Sequence, residues 1–201
     1  MRDDDIEPLT PTERRRRVVL LCCSFMRNLA SHRAGGQAKL RDNLLNPNYT
    51  PEGDFWIQVH GNFLDTCVLD WCKLFADKDG KHHWRRVVDN PDCFETDLYA
   101  TLGVTDTEFE TQVEAIRHYR DKFVAHLDQE RTMFLPTLEV ARKAIVFLHE
   151  RLVQQAPSQE DWRGLPASAE QFERVFTQAS EQAKRVYDEA LARFAAWWML
   201  P

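Results

Sequence analysis

The stretch AIRHYRDKFVAHLD, Ala115–Asp128, lies in a longer segment, Thr107–Leu127, whose apolar residues recur at helical spacing. On a wheel of 100° per residue, Phe109, Val113, Ile116, Phe123 and Leu127 fall at about 0°, 40°, −20°, −40° and 0°. Arg120 falls at about 20°, inside the apolar stripe. A guanidinium on a core face needs a buried acidic partner, or it is held ready for an anion from outside.

Outward from this segment the whole chain reads as helix. Thr10 as N-cap, Pro11 at the first helical position and Glu13 closing a capping box open a first helix that is expected to run to about Ser31 and stop before Ala34–Gly36. Asn43–Asp54 is loop by its Pro, Asn and Gly content. A second helix follows, from Pro51 or Asp54 to Ala76. After the turn DKDGKHH come two short helices, in WRRVVD and PDCFETDLYATLG, and Thr105 or Thr107 opens the segment carrying Arg120. Thr137–Gln155 is a further helix. Ala167–Trp198 is a long final one, with Phe172, Val175, Phe176, Ala179, Ala183, Val186, Ala190, Phe194 and Trp197 on one stripe. The expected fold class is all-α: an antiparallel helical bundle with an additional long C-terminal helix. Residues 1–9 read as a flexible tail, 10–155 as the bundle, 156–166 as a linker, and 167–201 as a helix packed on the bundle or on a dimer partner.

Composition narrows the function. The 201 residues, 43% of them hydrophobic, suffice for one substantial core, and 7 Gly against 12 Phe and 6 Trp favour long regular elements with bulky packing. No apolar run reaches the roughly 18 to 20 residues of a membrane span, so no membrane partner is expected. The acidic-then-basic start does not read as a signal peptide. Five cysteines without a C-x-x-C pair suit reduced thiols in a cytoplasmic protein, with Cys22 and Cys23 as core residues. No Gly-rich phosphate loop is present, and the adjacent His82 and His83 lack metal-ligand spacing; neither cofactor nor metal is expected.

The formal charge of −6 argues against nonspecific coating of nucleic acid. Its distribution is uneven. Residues 10–41 hold eight Lys and Arg against Glu13 alone, +7, which leaves −13 for the rest. Arg14, Arg15, Arg16 and Arg17 oppose the macrodipole in the first turn of their helix, which points to an anionic partner such as RNA or to a solvated face. KHHWRR, Lys81–Arg86, could stack on a single-stranded base or form a surface turn.

The second helix offers Arg120 a partner. Asp70 falls at about −40° and His60 at about 40° on a stripe led by Trp56, Val59, Phe63, Cys67, Trp71 and Leu74. Either a buried Arg120–Asp70 pair fixes the register of the bundle, or the two border a polar cleft in which Arg120 binds phosphate. Tyr119, Lys122 and His126 share a flank. A histidine near a guanidinium suits phosphodiester chemistry, since imidazole moves protons near neutral pH and a guanidinium holds phosphate oxygens as charge builds.

At these residues YRDKFVAHLD resembles the R-x(4–6)-H motif of the HEPN superfamily. The wording RDKxxAHxD, after an aromatic-rich helix ending LDWCKLFAD, is similar to its abortive-infection branch over roughly residues 10–155. The resemblance implies a helical bundle, commonly a homodimer with the motifs of both subunits facing one cleft. In active members it implies metal-independent endoribonuclease activity of a toxin or phage-defence type. It assigns Arg120 to the scissile phosphate, Asp121 to the polar position that orients the site, and His126 to assisting attack by the ribose 2′-hydroxyl. Many members instead bind RNA or a partner protein without cleaving. Arg27–His32 and Arg142–His149 also match the bare spacing.

Overall fold

The structure is a computed structural model that describes residues 9–42, 51–124, 136–156 and 162–197. Six α-helices make up the described chain: α1 (Pro11–Asp42), α2 (Pro51–Trp71), α3 (Pro91–Leu102), α4 (Asp106–Tyr119), α5 (Glu139–Gln155) and α6 (Ala169–Trp197). A π turn, Cys72–Ala76, extends α2; a second, Arg120–Val124, extends α4; and Trp84–Arg86 is a short 3-10 turn. There is no strand among the described residues. The all-α expectation holds.

Local chemistry sets the helix starts. Thr10 and Glu13 close the capping box: Glu13 N–H donates to Thr10 Oγ1 at 3.2 Å, and Thr10 N–H donates to Glu13 Oε2 at 2.8 Å. Thr105 and Glu108 repeat it at α4. Asn90 caps α3, which ends on Gly103 in the left-handed region at φ 67°.

α1 does not stop before Ala34–Gly36; it runs through both glycines to Asp42. A Cβ on Gly35 would stand 2.5 Å from both His60 Nδ1 and Tyr187 Oη, so this glycine is there to let α2 and α6 approach the helix axis. α2 starts at Pro51, and residues 43–50 of the expected loop lie outside the described residues.

α1 is the central element, with α2 and α6 packed along it. The main core joins Phe25, Met26 and Leu29 of α1 to Trp71 of α2, Phe94 and Leu98 of α3, Ile116 of α4, Ile145 and Leu148 of α5, and Phe172 of α6. Four thiols, Cys22, Cys23, Cys67 and Cys72, are buried in it, and Cys93 is exposed. Burial pushes the Cys23 thiol up to about 11 and that of Cys72 up to about 12, so both stay protonated and inert at neutral pH. A second, smaller cluster forms around Ala38 and Tyr187 with Trp56 and Leu191.

α6 belongs to the bundle. Phe172 is fully buried and stacks on His149 of α5 at 4.0 Å, and Arg142 of α5 grips Glu173 at 2.8 Å while lying 5.0 Å from the Phe176 ring. The side chains of Trp197 and Trp198, expected to anchor this helix, lie outside the described residues.

Candidate functional site

α4 buries Phe109, Val113 and Ile116 as its spacing predicts, and then Tyr119. From Arg120 the backbone hydrogen bonding widens to the π pattern, so the positions that follow leave the 100° grid on which Arg120 fell mid-stripe. The Arg120 side chain ends half-buried, 18% exposed. That places it at the rim of the core, in reach of both acids and solvent.

Its partner is not Asp70. Arg120 Nη1 donates to Asp77 Oδ1 at 2.6 Å, and Nε donates to Asp121 Oδ1 at 2.8 Å. Burial works against the charge, but the bonds to Asp77 and Asp121 outweigh it and hold the guanidinium pKa above its ordinary value. Asp77 terminates the first π turn, and its carbonyl accepts from Gly80 N–H at 2.7 Å in the tight turn that follows. A Cβ on Gly80 would lie 2.8 Å from that carbonyl, so the turn requires glycine there. The bridge thus ties the two π turns together. With the Asp77 side chain 39% exposed, it is worth about 0–1 kcal/mol.

Asp70 stays inside α2 at 4% exposure, facing α1. Lys73 Nζ approaches its Oδ1 at 3.5 Å, and Oδ2 has no hydrogen-bond partner. Burial pushes its carboxyl above the usual range, opposed by the Ser24 hydroxyl and Lys73. The wheel turned Asp70 inward correctly, while Arg120 ends at the rim of the core rather than within it. It could not show that Asp70 looks toward α1, or that Arg120 reaches past the end of α2.

The remaining sequence candidates separate. Tyr119 donates to Asp65 Oδ1 of α2 at 2.9 Å and packs against Phe123. Lys122 lies in the second π turn, half-buried. His126 lies outside the described residues, so the structure does not place it beside Arg120. Arg16 donates to the carbonyl of Arg163 at 3.2 Å, so part of the basic first turn fastens the segment ahead of α6. Arg14 and Arg15 are half-buried and Arg17 is exposed.

Both matches to the bare motif spacing have structural roles. His149 is fully buried, with Nε2 3.0 Å from the Pro166 carbonyl. His32 stacks on His60 at 4.2 Å, whereas Arg27 is exposed.

Beside the Asp77 end of the bridge opens a groove of about 420 Å³, lined by Ala76–Gly80 from one side and Glu110, Val113, Glu114 and Arg117 of α4 from the other. Its volume is that of a small-ligand site. Lys78 pairs with Glu110 at 3.4 Å, Arg117 with Glu114 at 3.2 Å and Asp77 with Arg120, which leaves Asp79 as surplus negative charge on the lining. No group of His, Cys, Asp and Glu among the described residues forms a metal site.

Sequence reasoning missed Asp77 and Asp65. Asp77 reads in the sequence only as part of the turn DKDGKHH, and no spacing there singles out Asp65. Compared with known proteins, the chain matches no family model, no curated protein and no solved structure.

Proposed function

We propose that the chain is a HEPN-like protein whose Arg120 site acts on RNA, as a metal-independent endoribonuclease of a toxin or phage-defence type. One observation carries this reading: Arg120 is held half-buried at the start of a π turn by Asp121, beside an open groove. Asp121 takes the orienting part that the motif gives its polar position: its carboxylate fixes Nε and so aims the Nη edge of the guanidinium. In this reading Arg120 grips the phosphate, His126 moves the proton of the attacking 2′-hydroxyl, and the two-subunit cleft of a homodimer brings the groups together.

The test is cleavage of RNA by the purified full-length chain in excess chelator. Activity that disappears in His126→Ala and in Arg120→Lys, with helical content and melting temperature kept, supports the reading. Equal activity in His126→Ala overturns it.

A second reading, a non-catalytic module that binds a partner protein, is favoured by the surplus acid on the groove lining, which suits a cationic partner better than a polyanion. It predicts that His126→Ala is silent in every assay.

A further inference from the structure

The carboxylate of Asp77 occupies one Nη edge of Arg120, the edge on which an oxyanion would bind. We propose that Asp77 is a displaceable lock: it fills the oxyanion seat of Arg120 in the resting chain, and a phosphate oxygen exchanges with it. This rests on the reading of Arg120 as an anion-binding group and adds its regulation.

Three features support exchange over a permanent brace. The two acids hold Arg120 differently: Asp121 is its chain neighbour and binds Nε, so it keeps the guanidinium aimed whether or not Nη1 is occupied. Asp77 comes from a different element, sits in a turn after the first π turn, and is 39% exposed, so its side chain can swing away without disturbing a helix. The groove receives the departing carboxylate, since Asp77 is itself part of the lining. A carboxylate and a phosphate edge offer a guanidinium the same pair of acceptor oxygens, so one replaces the other without rebuilding the site. The remaining charge explains the resting state. With Asp79 also on the lining, the locked groove repels free anions, and only a ligand with further contacts competes.

The test uses the full-length chain and inorganic phosphate, titrated by calorimetry against chloride at matched ionic strength. Asp77→Asn is expected to bind phosphate about two- to fivefold more tightly than the wild type, as loss of one partly exposed charge pair implies. The gain should vanish in Asp77→Asn combined with Arg120→Gln. Equal or weaker phosphate binding in Asp77→Asn overturns the lock, and so does a gain that survives Arg120→Gln. Asp77→Ser is the second variant; if neither it nor Asp77→Asn folds, Asp77 is a brace and the lock is wrong. Tighter binding of an RNA dinucleotide than of inorganic phosphate assigns the seat to a phosphodiester; the reverse assigns it to free phosphate. RNA cleavage, read separately, divides the two proposals. A phosphate gain with no cleavage in any variant keeps the lock and removes the nuclease reading.

Discussion

Asp70 and Arg120 are the two charges that the helical wheels turn inward, and each meets a different environment. Asp70 is sealed between α2 and α1 with one oxygen unbonded, and Arg120 stands at the rim with two carboxylates. The energetic consequences have opposite sign. A carboxyl whose pKa is raised on folding contributes stability below its unfolded value, near the model value of 3.8, and loses it as pH rises through the folded value. Asp70→Asn should therefore melt higher than the wild type at pH 7, by about 2 to 4 °C for each kcal/mol recovered. The gap should close as the pH is lowered toward 4, which melting curves at several pH values will show. Arg120 stays charged throughout, so Arg120→Lys should change melting little while removing the planar guanidinium edge that could hold an oxyanion with two bonds. The identity of both charges was legible in the sequence. Their partners were not, because a wheel gives the direction of a side chain and not the element it meets.

At the scale of elements, α1 passes through Gly35 and Gly36 where composition predicts a stop. Gly35 serves close approach to α6 and α2, and a single sequence does not distinguish a glycine that ends a helix from one that admits a neighbour. Gly35→Ala places a Cβ at 2.5 Å from His60 Nδ1 and Tyr187 Oη and should destabilise the chain by about 1–3 kcal/mol. Tyr187→Phe removes a buried hydroxyl with no hydrogen-bond partner and should leave the melting temperature unchanged or raise it. The π turns are likewise silent in the sequence, since they arise from how α2 and α4 meet rather than from periodicity. The α5–α6 contact carries its own pH dependence. Burial lowers the pKa of His149, so its contribution is present above the ordinary value of 6.5 and lost as pH falls through the folded value. Melting temperature should fall on acidification below about 6.5, and less steeply in His149→Gln, which keeps a donor for the Pro166 carbonyl.

For the whole molecule, the class of fold follows from apolar periodicity and caps, and of the two placements expected for the last helix, on the bundle or on a partner, α6 takes the first within the chain. Phe172 is fully buried against His149. Phe172→Ala should cost about 3–5 kcal/mol, and a chain ended at Gln155 should lose cooperative melting altogether. No helix among the described residues is long and apolar enough to cross a membrane. The candidate site was half legible: Arg120 and Asp121, both picked out by the sequence, are hydrogen-bonded to each other, but Asp77, hidden in a turn, is the second acid on the guanidinium. We propose the Arg120 guanidinium as an oxyanion seat. Its most direct test is the Nε–Hε resonance of Arg120 in labelled full-length protein, followed while a non-cleavable 2′-deoxy dinucleotide is added. A saturable shift of that resonance, larger in Asp77→Asn at equal ligand, is the predicted result. An unmoved Arg120 resonance, with binding reported elsewhere on the chain or nowhere, contradicts the claim.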